Sequence, residues 1–212
     1  MALSRYLSVS AITSAEKYTI EELGISAIVL MERAALASYE ELSFTFDMTH
    51  VLIVAGNGNN GGDGLALARL LKEKNIPVSI CCPGGSNHGS DLFKEQLLIT
   101  EKLHIPQIDL QDLDDLSPYT TIVDAIFGIG LDRDIIDTYA IAIHQINASN
   151  IPVFSIDIPS GIAADSGEIL GTAIKAKTTL CLQFGKNGLL QYPGDVNAGD
   201  VRIAPIGIWS RP

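Results

Sequence analysis

The 212-residue chain carries 14 Lys and Arg against 25 Asp and Glu, a formal charge of -11 with a pI near 4.6. That balance opposes a nucleic-acid surface, which needs a concentrated positive patch, yet it leaves room for a phosphate site made of backbone amides. At 47% hydrophobic and 18% charged, the chain buries a substantial core, its length suits one domain spanning 1–212, and no apolar run approaches the roughly 20 residues of a membrane span.

The amino terminus lacks the sustained apolar core of a signal peptide, and the three cysteines, Cys81, Cys82 and Cys181, form an odd set unsuited to a disulfide framework or metal knuckle. A soluble, cytoplasmic protein in a reducing compartment is expected. Thr13 to Glu16 reads as a capping box opening a helix that Gly24 ends, and Ser26 reads as the cap of a second helix. The apolar stripe of that second helix, Ile28, Met31, Ala35, Tyr39 and Leu42, is assigned to the core in preference to a dimer interface.

The organising stretch is His50 to Arg69, where the apolar run Val51 to Ala55 meets Gly56, Gly58, Gly61, Gly62 and Gly64. It reads as strand, glycine loop, and helix from Leu65, an arrangement that brings backbone amides and a helix start close to an anion. Gly56, Gly58 and Gly61 satisfy G-x-G-x-x-G. The dinucleotide fingerprint also wants an acid at the end of the next strand, however, and Val78 to Cys82 runs into Pro83 and Gly84 with none. A dinucleotide-dependent oxidoreductase is thereby disfavoured.

Helices are expected over Leu65–Lys74, Asp91–Leu103 and Ile135–Asn147, and strands over Pro106–Leu110, Thr120–Val123, Ile151–Ile156, Thr178–Phe184 and Val201–Ile206. Asp109 to Asp115 reads as a solvated acidic loop. Strands alternating with helices imply an α/β domain with a mainly parallel sheet covered on both faces.

Parallel strands align their carboxyl ends, so three polar turns should share one edge: Asn59, Asn60 and Asp63 after the first strand, Asp124 after a later one, and Asp157 with Ser160 after the next. Amide, carboxylate and hydroxyl oxygens suit an alkali or alkaline-earth cation, and a single carboxylate favours a monovalent one. The four histidines, His50, His88, His104 and His144, suggest no triad, and Ser160 lacks the G-x-S-x-G elbow. Acid/base chemistry falls to a carboxylate, with Asp157 preferred, or to Lys186.

With these motifs in order, 24–35 (G-I-S-A-I-V-L-M-E-R-A-A), 55–64 (A-G-N-G-N-N-G-G-D-G), 123–131 (V-D-A-I-F-G-I-G-L) and 156–161 (I-D-I-P-S-G), the chain resembles the NAD(P)H-hydrate epimerase family, also called the YjeF N-terminal domain. It departs from the family pattern at Glu32 to Ala35 and at Lys177. The resemblance implies a Rossmann-like three-layer α/β/α sandwich and a metabolite-repair isomerase interconverting the R and S forms of hydrated NADH and NADPH. It implies a potassium ion held by Asn60, Asp124 and Ser160. Substrate contacts carry over to Asn59, Asn60, Gly61, Gly62 and Asp63, to Gly128, Ile129, Gly130, Leu131, Asp132, Arg133 and Asp134, and to Asp157. The implied partner is an NAD(P)H-hydrate dehydratase, separate or fused, and the expected assembly is a homodimer. A non-catalytic scaffold of the same fold is the reading from a different class.

Overall fold

The computed structural model describes residues 6–85 and 88–211. In chain order the elements are β1 (Tyr6–Leu7), α1 (Val9–Lys17), α2 (Ala27–Thr45), β2 (Val51–Ala55), α3 (Asn59–Glu73), β3 (Val78–Cys81), α4 (Asp91–Lys102) and β4 (Gln107–Ile108). They continue with β5 (Thr121–Ala125), α5 (Asp137–Ala148), β6 (Val153–Ile156), β7 (Thr178–Leu182), β8 (Gly185–Lys186), α6 (Gly194–Ala198) and β9 (Asp200–Ala204). Seven strands form one parallel sheet in the order β4-β3-β2-β5-β6-β7-β9. From β2 the chain winds first toward β4 and later, from β5, toward β9, so the direction reverses between β2 and β5. Ligands of open α/β sheets bind outside the carboxyl ends at such a switch.

Alternation along buried strands divides the core between the two faces. Val51, Ile53, Val123, Ala125, Phe154 and Leu180 pack with α2, α3 and α4 through residues such as Leu42, Leu67, Leu71 and Phe93. Leu52, Val54, Ile122 and Val153 face the other way, against Ala142, Ile143 and Ile146 of α5. The expected stripe of α2 lies on this core: Met31, Ala35 and Leu42 are buried, and Ile28 and Tyr39 pack at its margin.

Two expectations about local structure are corrected. The first helix starts at Val9, capped by Ser8, whose side chain accepts from the Ala11 N–H; Thr13 to Glu16 is helix interior rather than a capping box. It continues as a π-helical turn, Tyr18–Glu22, before Gly24. The second correction concerns the glycines. α3 begins at Asn59, six residues before Leu65, so Gly61, Gly62 and Gly64 are helical rather than loop residues. None of the five glycines from 56 to 64 has a positive φ. Their role is proximity: a Cβ at Gly61 would overlap the Gly56 carbonyl oxygen, and one at Gly64 would stand 2.5 Å from Ala125 Cβ and 3.1 Å from Ile53 Cγ2. Packing of the helix directly on the ends of β2 and β5 overrides the poor helix propensity of glycine.

Gly185 and Lys186 form β8, which pairs in parallel with Tyr6 and Leu7 and so ties the start of the described chain to the sheet's carboxyl edge. The acidic stretch near Asp112 is a short 3-10 helix, Leu110–Asp114, with a reciprocal cap between Asp109 and Asp112. Among the described residues, no helix is long and apolar enough to cross a membrane.

Helix propensity alone gives Gly61→Ala a gain of up to about 1 kcal/mol. Contact with the Gly56 carbonyl instead makes it destabilising, by about 3 kcal/mol in urea unfolding. A variant at least as stable as the parent would show that α3 does not need this close approach.

Candidate active site

A cavity of about 570 Å³ opens at the β2/β5 switch. Of the residues expected there, Asn59, Asn60, Asp63, Gly128, Ile129, Gly130, Leu131, Asp132, Arg133 and Asp157 line it. Gly61 and Gly62 do not. Gly61 packs on Gly56, and a Cβ at Gly62 would meet Met31 Cε at 2.5 Å. These two glycines set the helix position from behind. Asp134 is exposed outside the lining, while Asp124, Ser160 and Lys186 lie buried behind the wall.

Asp124 is the electrostatic centre of that buried layer. Its Oδ1 accepts from Ser160 Oγ at 2.5 Å and the Ile126 N–H at 3.2 Å, and its Oδ2 accepts from Ser155 Oγ at 2.8 Å and the Ser160 N–H at 2.9 Å. Burial raises the carboxyl above its ordinary value, and these four donors oppose the shift. Ser160 Oγ in turn accepts from the Phe127 N–H at 2.9 Å. The ends of β5 and β6 are thus locked together just beneath Gly128. A Cβ placed on Gly128 would stand 3.3 Å from Asp157 Oδ2 and 3.5 Å from Asn60 Cβ.

Asn60 supplies the test for a cation. It is 8% exposed, and its side-chain oxygen and nitrogen are both buried without a hydrogen-bond partner. Buried amides are ordinarily satisfied, so an orphan at the floor of a cavity marks a place where something else binds. One neutral amide oxygen, one hydroxyl and one carboxylate make a hard-oxygen set with a single negative charge, which fits a monovalent cation.

Asp157 has a φ of +71°, uncommon for a residue with a side chain. Its N–H donates to Leu180 O at 2.8 Å, and its Oδ1 accepts from the Leu182 N–H at 3.3 Å and forms an ion pair with Lys186 Nζ. The Lys186 side chain is 1% exposed and that of Asp157 14%. Lys186 therefore acts on the cavity only through the carboxylate in front of it. Breaking such a buried pair from one side is costly.

Sequence reasoning missed several lining residues. Glu16, read as a capping residue, projects from α1 into the wall, and Asn57 and Gly58 precede α3. Tyr139 donates to Asn57 Oδ1 at 3.2 Å, and its ring meets that of Phe127 in a tilted contact at 4.8 Å. Only the tertiary fold brings α1 and α5 to this edge, so no local pattern marks Glu16 or Tyr139. Leu30, Met31, Leu182 and Ile206 provide apolar surface. None of the four histidines is in the lining. The cysteines are free, and burial pushes the thiols of Cys81 up to about 12 and of Cys82 up to about 11, away from thiolate chemistry. Both departures from the family pattern lie outside the cavity: Glu32 pairs with Arg69, and Lys177 donates to Thr45 O and lies over the Phe46 ring.

Asp63 is raised well above its ordinary value of 3.8, by burial first and then by Asp157 and Glu16. In the unfolded chain it ionises near that ordinary value, so folding above it requires proton uptake, and stability declines as pH rises toward the folded pKa. Asp63→Asn removes this loss. Denaturation midpoints of the variant should gain on the parent progressively as pH rises above about 4. A difference independent of pH would reject the buried-carboxyl account.

Comparison with known proteins follows the same outline. A family model described as YjeF-related protein N-terminus matches residues 27–188. A curated NAD(P)H-hydrate epimerase of Oenococcus oeni is 44% identical over 206 residues, covering 96% of this chain and 97% of its own. Another, from Levilactobacillus brevis, is 40% identical over 210 residues, covering 99% and 97%. The crystal structure of the yeast protein YNL200c superposes with a TM-score of 0.79 at 21% identity, covering 98% of this chain and 95% of that one, and so shares the fold. With its seven parallel strands, its cavity at the strand switch and these full-length similarities, this chain belongs to the YjeF N-terminal family.

Proposed function

We propose that this chain is an NAD(P)H-hydrate epimerase, an isomerase that interconverts the R and S forms of hydrated NADH and NADPH. One observation carries the reading: the Asp157–Lys186 pair stands at the wall of a cavity at the strand switch, next to the unpartnered amide of Asn60. Apolar walls with a few placed polar groups suit a nucleotide carrying a reduced ring. The phosphates are assigned to the start of α3, where the N–H groups of Asn59 and Asn60 lie in the first helical turn and offer anion contacts without net positive charge. Gly61 and Gly62 support that turn from behind. Gly128 to Arg133 and Asp63 complete the substrate contacts, and Asp134 follows at the rim.

The hydrated ring bears its hydroxyl on a carbon bonded to the ring nitrogen. Configuration at that carbon inverts through reversible loss of the hydroxyl or through ring opening, and both routes need proton transfer without oxidation or reduction. Asp157 is assigned this transfer. Its Oδ1 is occupied by Lys186 and the Leu182 N–H, while Oδ2 lies beside Gly128 at the cavity wall. Lys186 orients the carboxylate and offsets its charge. Asn60, Asp124 and Ser160 would hold a potassium ion, whose fixed positive charge would steady a developing oxyanion. A homodimer is further proposed, with Val29, Leu36 and Phe44 of α2 as exposed apolar surface. The dehydratase that uses the S form is the proposed functional partner, and free cysteines fit a cytoplasmic location.

Chiral-resolved assay of hydrated NADH should show the separated R form converted to an R/S mixture faster than its spontaneous rate. Asp157→Asn should lower turnover at saturating substrate by about 10² to 10⁴. A near-parent saturated rate in that variant would remove Asp157 from proton transfer.

Crystals soaked in a rubidium or thallium salt should show anomalous signal within coordination reach of Asn60, Asp124 and Ser160. Signal confined to other positions would reject the cation assignment.

A further inference from the structure

On the hydroxyl-loss route, epimerisation calls for more than one acid/base group. The hydroxyl stands on opposite faces of the ring in the R and S forms, so losing it from one face and restoring it on the other requires a proton donor on one side and an acceptor on the other. Asp157 is held on a turn anchored through its own Oδ1. It serves one face.

The other acidic residues lining the cavity, among those described, are Glu16, Asp63 and Asp132. Asp132 is exposed at the rim. Asp63 lies on α3, in the turn assigned to the phosphates. Glu16 comes from an independent element and is half-buried. Its helix is fastened over the strand ends at several points. Ile12 and Ala15 pack with Phe184, the Val9 N–H donates to Asp165 Oδ1 at 2.8 Å, and β1 immediately before it pairs with the strand containing Lys186. Directly after it, the π-helical turn Tyr18–Glu22 is pinned by Thr19 Oγ1, which donates to Ala15 O at 2.8 Å and accepts from the Trp209 N–H at 2.8 Å. Such π turns recur at functional sites, where they re-aim neighbouring side chains.

We propose that Glu16 is the second acid/base residue of this site, serving the ring face that Asp157 does not reach. The proposal rests on the epimerase reading. In one direction the Glu16 carboxyl gives its proton to the hydroxyl. The carbon–oxygen bond breaks with its electron pair on oxygen, water departs, and the nitrogen lone pair forms a carbon–nitrogen double bond. A water on the other face then adds its oxygen to that carbon, the double-bond pair returns to nitrogen, and the water's proton passes to Asp157 Oδ2. The reverse direction exchanges the roles, and a proton returning from Asp157 to Glu16 resets the site. No electrons enter or leave.

Electrostatics agree with this division. Burial first, and the Asp157 charge second, raise the Glu16 carboxyl above its ordinary value, a shift in the direction that a proton donor needs. Asp63 and Asp157 face Glu16 from α3 and the β6 turn, Lys186 stands behind Asp157, and Arg133 is the exposed cation among the described lining residues. On its own element, Lys17 pairs with Glu21 on the exposed side.

The test compares Glu16→Gln, Glu16→Asp and Asp63→Asn in the chiral-resolved assay with hydrated NADH, after melting curves show each variant folded. Glu16→Gln should lower kcat by about 10²-fold with KM within about threefold, and should flatten the loss of rate at higher pH where the parent's acid form is depleted. Glu16→Asp should recover part of kcat. A raised KM at unchanged kcat would make Glu16 a binding residue and overturn the proposal, as would loss of turnover in Asp63→Asn with none in Glu16→Gln. If Asp157→Asn is slow while Glu16→Gln runs at the parent rate, only this proposal fails; if the parent chain itself does not epimerise, the functional reading fails.

Discussion

The carboxylate of Asp124 is the interaction on which the site depends. It is fully buried at the end of β5, and a lone carboxylate there would be prohibitively costly. Four donors compensate it, and three of them come from Ser155 and Ser160, on β6 and the turn that follows. Satisfying one charge therefore fixes the β6 turn relative to β5. That turn carries Asp157, and Phe127, which donates to Ser160 Oγ, leads into the Gly128 loop. The electrostatic requirement of one residue thus sets the relative positions of cavity-lining groups carried by two strands.

A steric constraint acts beside it. The first turn of α3 sits on Gly56, and further along the helix Gly64 meets Ala125 and Ile53. Side chains at these positions would lift the helix off the sheet, carrying Asn59, Asn60 and Asp63 away from Asp157. Glycine here serves close approach between a helix and two strands, and the same closeness leaves Asn60 buried with its amide unsatisfied. A site that keeps an orphan polar group and a positive-φ aspartate concentrates its local costs where ligand contacts can recover them.

The third contribution is made far away in sequence. β1 and α1 fold over the carboxyl edge through pairing with β8 and packing on Phe184, bringing Glu16 to a cavity whose other polar lining residues begin at Asn57. The Asp157–Lys186 pair has the same character, since it joins the β6 turn to β8 across β7. Positive charge is thereby held directly behind the cavity wall in a protein of formal charge -11.

Much of this was legible from the chain alone. Apolar runs bounded by turn residues located the seven strands of the main sheet to within about two residues, and their alternation with helices dictated a parallel sheet, because a parallel connection needs a crossover. Polar residues at strand ends then had to share one edge, which is how Asn60, Asp124, Asp157 and Ser160 could be grouped. Local pattern failed where long-range contact overrode it. Gly61 to Gly64 read as loop because propensity is a local quantity, whereas their helix is selected by the space available above β2 and β5. Glu16 read as a cap because nothing adjacent to it in sequence touches the cavity. Which glycines line the cavity and which face Met31, that Lys186 reaches the site only through Asp157, and that Asn60 is left unpartnered are likewise outcomes of packing. Periodicity and strand-end chemistry are properties of neighbours along the chain and determine the architecture; burial, partnering and ionisation depend on neighbours in space, which only the tertiary structure supplies.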